Sequence, residues 1–169
     1  SSAAFRLDLV SGRLTEVAHR DEVGALVFAV DHDGSMVFQR GASLVSRIRG
    51  AESTFRPRPD SPSLREVTAY AWDRGGGLVY ADRNEIRRMS PAGITTQVAT
   101  IEGRVLEPRI WNAKEIPAVF GLAVEGSNAV LAAVPDLDKV YRIGSDGVPV
   151  EIGERNDPWR ATGVAVFAD

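Results

Sequence analysis

Aromatic and guanidinium side chains, the types enriched at binding hot spots, collect in three loop segments of this chain. The segments are residues 50–63, 102–118 and 157–160. Two roles are open for these side chains: they bind a protein, a peptide or a small ligand, or they pack over the ends of neighbouring strands. The residues concerned are Phe55, Arg56, Arg58, Arg109, Trp111 and Trp159.

Acidic turns and histidines form a second group of chemically capable residues. Asp31 and Asp33, followed by Gly34, resemble the start of a calcium loop, but the later ligands of such a loop are missing. The same residues are typical of an ordinary Asp-Gly hairpin turn. His19 and His32 are the only histidines, and each suits either a reactive role or a surface loop. With no cysteine, any metal site depends on oxygen ligands, which favours calcium or magnesium.

Composition excludes several classes of function. The net charge is −3, with acids and bases interspersed, which argues against a nucleic-acid-binding protein. No unbroken apolar segment approaches the roughly 18 residues of a membrane span. The absence of cysteine excludes disulfides and thiolate metal sites. We expect a soluble chain without an intact signal peptide at its start, and its compartment (cytoplasmic, or periplasmic or extracellular) stays open.

The elements that position these loops follow from an internal repeat. Its pattern is an apolar strand, an acidic or glycine-rich turn, a second apolar strand, a turn and a strand that contains arginine. The repeated arginines are Arg6, Arg47, Arg88 and Arg142, at intervals of 41, 41 and 54 residues. The first strands end at Val30, Trp72, Val124 and Val166. A unit of this length is typical of one blade of a β-propeller, and the longer interval contains the 102–118 insertion.

The polarity of the strands agrees with stacked blades. The first and second strands of each unit are apolar at nearly every position, as strands buried on both faces must be. The third strand alternates apolar and charged residues, and the fourth is polar enough for an outer edge. Pro149 in the last fourth strand also suits an edge. The repeated arginines either line a ligand surface or form an ion pair or stacking contact between neighbouring blades.

We therefore predict an all-β chain made of four-stranded antiparallel β-propeller blades. Residues 1–169 form a single propeller domain or fragment, in about four units. The unit boundaries are approximately 5–18, 23–60, 67–101, 119–153 and 162–169, with the first and last units partial. Two arrangements are open: a four-bladed ring with a defective closing blade, or part of a larger propeller of the six-bladed type, which we favour. Such an arc exposes strand edges, so we expect it to associate with the missing remainder or with another copy.

One unit also resembles a known repeat. The segment from Val119 to Val134, followed by Lys139 to Gly147, is similar to an NHL repeat and to the related gluconolactonase-like (senescence-marker-like) and strictosidine-synthase-like propellers. Leu78 to Asp82 and Thr162 to Val166 fit the same pattern. The resemblance covers most of the chain. It implies the propeller architecture and not one activity, because this fold hosts many unrelated functions.

The resemblance implies one candidate metal site. The gluconolactonase-like enzymes hold a divalent metal on the propeller axis with Glu, Asn and Asp side chains. Glu115-Ile116-Pro117 is similar to the Glu-x-Pro start of that site, and Asn112 on the same loop is a companion ligand. The further Asn and Asp ligands of the family have no counterpart in this chain, so a solvated loop carboxylate is the other interpretation of Glu115.

The leading functional hypothesis is a non-enzymatic propeller that presents a loop face to a protein, a peptide or a small ligand and requires no cofactor. The loops join a fourth strand to the next first strand, so we expect them on one face of the disc. The alternative is a divalent-metal-dependent lactone or ester hydrolase of the gluconolactonase-like type, with calcium or another divalent metal as cofactor. A sensor domain of a larger exported protein is a third possibility.

Overall fold

The structure is a computed structural model, and it describes residues 3–7, 10–19, 28–30, 36–48, 51–62, 64, 66–73, 75–103, 116–126, 128–154 and 161–166. These residues form fourteen β-strands and one single-turn 3-10 helix, with no α-helix among them. Within the same ranges, the chain contains no helix of sufficient length and apolarity to cross a membrane. The chain divides into two compact units, Ser1–Phe55 and Arg56–Asp169.

The first unit contains two antiparallel sheets. The two-stranded sheet pairs β1 (Ala3–Leu7) with β2 (Leu14–His19). The four-stranded sheet has its strands in chain order: β3 (Phe28–Val30), β4 (Met36–Arg40), β5 (Ser43–Ile48) and β6 (Ala51–Phe55). Met36, Val37 and Phe38 of β4 and Leu44 and Val45 of β5 are buried, and Phe38 is the largest of them.

The second unit contains two four-stranded antiparallel sheets, each again in chain order. The first consists of β7 (Val67–Trp72), β8 (Leu78–Asp82), β9 (Glu85–Met89) and β10 (Thr95–Thr100). The second consists of β11 (Gly121–Glu125), β12 (Ala129–Val134), β13 (Lys139–Ile143) and β14 (Pro149–Glu154), with the 3-10 turn Pro135–Leu137 between β12 and β13.

Burial in the second unit decreases from inner to outer strands, as the polarity pattern predicts. All five residues of β8 are buried, whereas β14 exposes its apolar side chains and begins with a proline, as an edge strand tolerates. The inner strands β7 and β11 pack against each other. Small and branched side chains of both sheets, such as Ala71 and Val130, form one continuous core there. The two sheets are thus held together by apolar side chains at their inner strands.

A further segment, residues 161–166, also belongs to the second unit. A Cβ atom at Gly121 would lie 2.7 Å from the Cα of Gly163 and 3.0 Å from the carbonyl oxygen of Thr162. Glycine at position 121 therefore allows the segment to lie directly on β11. The prediction of a strand at Thr162 to Val166 needs correction, because none of the described residues pairs with this segment in a ladder.

The third strands lie where the repeated arginines predict them. Arg6 lies in β1, Arg47 in β5, Arg88 in β9 and Arg142 in β13. The predicted all-β, four-stranded antiparallel units are confirmed by β3–β6, β7–β10 and β11–β14.

Candidate functional site

One end of the second unit gathers the connections that the sequence marks as functional. In a sheet of consecutive antiparallel strands, the turn from the second to the third strand lies at the same end as the exit of the fourth strand. The turn at Arg83 and Asn84 and the 3-10 turn Pro135–Leu137 therefore lie at the end where the chain passes from β10 to β11. We call this end the loop end. The 102–118 insertion leaves and returns there.

Both ends of that insertion are fixed on one turn. The N–H of Ile101 donates to the carbonyl of Asn84 (2.9 Å), and the side-chain amide of Asn84 donates to the carbonyl of Ile101 (3.1 Å). The N–H of Val119 donates to the carbonyl of Arg83 (2.9 Å). Ile101 and Val119 are almost completely buried. The insertion thus has a closed base in which two consecutive residues hold its two ends, as in an Ω-loop.

Two carboxylates fix the starts of the first strands at the same end. Asp82 Oδ1 accepts the N–H of Glu66 at 3.0 Å, and Asp136 Oδ2 accepts the N–H of Ala118 at 3.0 Å. Asp82 is the last residue of the second strand β8, and Asp136 lies just after the second strand β12; each accepts from a backbone N–H shortly before the first strand of its own sheet. An unpaired buried N–H is costly, so these side chains stabilise the loop end. Sequence analysis missed this role, although Asp82 ends a segment that it quoted.

Further charged side chains among the described residues of the loop end form ion pairs. Glu66 forms an ion pair with Arg83 at 3.3 Å. Arg87 approaches the carboxylate of Asp82 at 3.8 Å and contacts Glu85. In the part of the chain that the structure describes, no group of three or more acidic or histidine side chains is arranged to hold a metal ion. The described carboxylates of this end accept backbone N–H groups or form ion pairs with arginines, which stabilises the turns.

The predicted binding residues fall into two sets. Phe55 is half-buried at the end of β6, and Arg56 and Arg58 are exposed. The N–H of Arg58 donates to the carbonyl of Gly93 at 3.2 Å. Gly93 lies in the turn between β9 and β10, at the opposite end of its sheet from Arg83. The structure therefore places Arg56 and Arg58 beside that turn.

The other predicted binding and metal-site residues lie outside the described residues. The same is true of three candidates among the acidic turns and histidines. His19 is the last residue of β2. The residues outside the described ranges are Arg109, Trp111, Asn112, Glu115, Trp159, Asp31, His32 and Asp33.

Arg88 and Arg142 form their ion pairs within their own sheets, whereas the expectation was an ion pair or stacking contact between neighbouring blades. Arg88 Nε lies 3.2 Å from Asp73 Oδ2, and Arg142 Nε donates to Glu125 Oε2 at 2.6 Å. Asp73 follows the first strand β7 and Glu125 is the last residue of the first strand β11, so arginine and acid meet at the same end of one sheet. Arg88 also reaches the next sheet, at 3.5 Å from Asn128 Oδ1. The similar separation of each acid from its arginine in sequence was the signal available for this pairing.

In the first unit, the equivalent arginine forms a different cluster. Arg40 and Arg47 both donate to Glu52, at 3.0 and 2.8 Å, and both lie over the ring of Phe38. Hydrogen bonds from Arg40 and then Arg47 lower the pKa of the Glu52 carboxyl. Stacking on an aromatic ring and forked donation to a carboxylate are both properties of the guanidinium group. These contacts give the arginines a structural role.

Comparisons with known proteins agree on the architecture. No protein-family model and no curated protein matches the chain. A solved structure of a protein proposed to be a gluconolactonase matches with a TM-score of 0.59 and 13% identity, over 95% of this chain and 59% of that one. A catalytically inactive virginiamycin B lyase from Staphylococcus aureus with quinupristin matches with a TM-score of 0.54 and 15% identity, over 95% and 52%. A streptogramin B lyase matches with a TM-score of 0.50 and 19% identity, over 87% and 46%.

The chain has a β-propeller fold. Its four-stranded sheets are blades, and it spans about half the length of the lyase and gluconolactonase-type structures that it matches. At these identities the likeness shows the fold alone, because propellers with unrelated functions share it. The function has to be argued from the loop end of the blades.

Proposed function

We propose that this propeller is a binding module that uses the 102–118 loop to recognise a protein, a peptide or a small ligand. The observation that supports this proposal is the closed base of the loop. Ile101 and Val119 are held on the consecutive residues Asn84 and Arg83 and are themselves almost completely buried. Binding residues are commonly found on loops that a rigid scaffold holds in place.

The closed base matters because ordering a loop opposes binding. A segment whose two ends are already fixed loses less conformational freedom when it engages a partner, so more of the contact energy is available as affinity. Between the fixed ends lie Arg109 and Trp111. Tryptophan and arginine are the side chains most often found among residues that dominate binding energy. We infer that these two residues make the principal contacts.

The alternative activity is metal-dependent hydrolysis, and the same loop contains the residues it would use. Glu115 and Asn112 supply oxygen ligands suited to calcium, and Glu115 stands three residues before Ala118, whose N–H is fixed by Asp136. The motif match also supports a place for this chain among the NHL-repeat and gluconolactonase-like propellers. This alternative predicts a calcium site that depends on Glu115.

The binding proposal is tested with a random peptide library displayed on phage and selected against the whole chain. Peptides that the wild-type chain enriches should lose about tenfold in affinity, or more, for the Trp111→Ala and Arg109→Ala variants. The matched control is Thr96→Ala, an exposed position on β10 away from the loop end, which should bind like the wild type. Peptides that bind all of these variants equally would contradict the proposal.

Calorimetric titration of the whole chain with calcium chloride separates the two functions. The binding module should give no saturable heat. The hydrolase alternative requires a saturable heat that Glu115→Gln removes, because an amide is a weaker calcium ligand than a carboxylate. A heat of this kind, together with peptides insensitive to Trp111→Ala, would replace the binding proposal with the hydrolase.

A further inference from the structure

The turns between third and fourth strands make a repeated contact in the second unit. Gly93 and Gly147 end two of these turns, with φ values of 78° and 72°. A Cβ atom at Gly93 would lie 2.3 Å from the carbonyl oxygen of Arg56, and one at Gly147 would lie 2.7 Å from that of Val98. Both glycines are therefore required by close approach to a carbonyl as well as by φ.

The carbonyl group against which Gly147 packs is that of Val98, and Val98 lies in a β-bulge. In the pairing of β10 with β9, Gln97 and Ala99 oppose consecutive residues, so Val98 is left without a partner in the ladder. A bulged residue leaves the regular pairing, which makes its carbonyl accessible to a neighbouring element. Val98 also packs against the core between the two blades. The bulge and the glycine turn together form the outer contact between consecutive blades.

The same bulge recurs at the same distance from a turn glycine. Val98 follows Gly93 by five residues, and Ile152, which β14 leaves unpaired, follows Gly147 by five. In the β1–β2 hairpin the pairing skips Val17, five residues after Gly12. Gly12 has a φ of 68°, close to the values of the other two turn glycines. The β1–β2 hairpin therefore has the backbone features of the hairpin that docks on Val98.

The bulge at Ile152 is exposed, and none of the described residues lies close to the α-carbon face of Gly12. Ile152 is 52% exposed; Val150 on the same strand is 57% exposed, and Val148, just before the strand, is 54% exposed. A Cβ atom placed at Gly12 would have no heavy atom within 4 Å. Three apolar side chains along an edge strand are the kind of surface that recruits another chain. The exposed bulge at Ile152 and the left-handed Gly12 therefore have the backbone features of the two partners in the contact between Val98 and Gly147.

We propose that the β1–β2 hairpin of a second copy docks on β14, with Gly12 of that copy against the Ile152 carbonyl. The contact repeats the one that Gly147 makes with Val98, and it covers Val150 and Ile152. A second copy is the occupant because this chain itself supplies a hairpin with the required left-handed glycine and bulge. The two surfaces differ, so the association is head-to-tail and leads to a ring or an open chain of copies.

The first test is sedimentation velocity of the whole chain over a range from micromolar to submillimolar concentration. The wild type should self-associate as concentration rises. Ile152→Asp should weaken this association by about tenfold or more, since it places a carboxylate in an apolar contact. Ile94→Asp is the matched control, because Ile94 is also an exposed apolar residue (47%) that follows a turn glycine, but it lies just before β10 and outside the proposed contact. A wild-type chain that stays monomeric throughout contradicts the proposal.

The second test fixes the geometry by a disulfide, which is clean because the chain has no cysteine. Ser145 and Thr96 line one groove of about 260 Å³ between consecutive blades. Ser145 lies two residues before Gly147, and Thr96 lies three residues after Gly93. Val10 and Val150 have the same positions relative to Gly12 and Gly147, so they are the equivalent pair in the proposed contact. Mixed Val10→Cys and Val150→Cys chains should form a disulfide-linked dimer under mild oxidation. Association without this cross-link would show that another surface is used, and would overturn the proposed contact.

Discussion

The outer strands β10 and β14 occupy the same place in consecutive blades, yet only one of them is covered. Val98 on β10 packs against the core and receives the Gly147 turn, whereas the equivalent Ile152 on β14 is half-exposed. Both residues are bulges at the same distance from a turn glycine. The comparison teaches that a blade's own sequence sets its bulge and turn, while the burial of its outer strand depends on the next blade.

The largest expected effect comes from placing a charge at the two equivalent bulges. Val98→Asp should lower the free energy of unfolding by about 3 kcal/mol, because an unpaired carboxylate enters the contact between blades. Ile152→Asp should change it by less than about 0.5 kcal/mol in dilute solution, where Ile152 is exposed to water. Urea unfolding of both variants measures the difference. Equal losses would mean that β10 and β14 are equally covered.

Alanine substitution of the turn glycines sharpens the same comparison. Gly12→Ala should cost about 1 kcal/mol, the usual cost of a left-handed conformation for an L-residue. Gly147→Ala should cost about 2–3 kcal/mol, because the new Cβ also meets the Val98 carbonyl at 2.7 Å. Urea unfolding at low protein concentration gives both values. If Gly12→Ala costs as much as Gly147→Ala, then Gly12 is already packed within its own chain.

The repeated arginines should show the same asymmetry at a smaller scale. The side chains of Arg88 and Asp73 are 26% and 15% exposed, while those of Arg142 and Glu125 are 50% and 41% exposed. Arg88→Ala should lower the free energy of unfolding by about 1 kcal/mol. It leaves the mostly buried carboxylate of Asp73 without its arginine and removes the contact to Asn128. Arg142→Ala should cost a few tenths of a kcal/mol. Thermal or urea unfolding of the two variants provides the check, and the reverse order would contradict this interpretation.

The smallest expected effect is a pH dependence confined to one blade. Tyr80 is completely buried, and burial raises the pKa of its hydroxyl above the ordinary value of 10.0. The unfolded chain ionises this group first, so its contribution is constant below about pH 10 and decreases as pH rises further. Ala132 holds the corresponding position in the next blade, judged from the pairing of Arg88 with Val79 and of Arg142 with Leu131.

The measurement is the free energy of unfolding in urea between about pH 8 and pH 11. The Tyr80→Phe variant should lose less stability than the wild type over the alkaline part of this range. Tyr141→Phe, which removes a partly buried hydroxyl from the next blade, is the matched control and should follow the wild type. Identical curves for the wild type and Tyr80→Phe would show that a group other than the Tyr80 hydroxyl causes the loss of stability at alkaline pH.

The structure also shows which parts of the site were within reach of sequence reasoning. The position of the 102–118 insertion between a fourth and a first strand follows from the repeat interval, and the described strands confirm it. The closed base of this insertion was not predicted. Arg83 and Asn84 are ordinary turn residues in the sequence, and they hold Ile101 and Val119 through backbone groups that no residue type reveals.

The sequence alone determined the strands, their order within each blade and the turn glycines. These features depend on local properties: the apolar or polar character of successive residues and the φ values that each residue allows. The arginine of each third strand was identified in the same way, and it lies in the predicted strand in all four cases.

Only the tertiary structure decided which groups meet. It paired Arg88 with Asp73 inside one blade, left residues 161–166 without a ladder partner, and covered Val98 while leaving Ile152 exposed. The physical reason is that a repeat gives each blade nearly the same pattern, so the pattern cannot distinguish a blade with a neighbour from one without. Burial, and with it the energy of each contact, depends on the neighbour that is present.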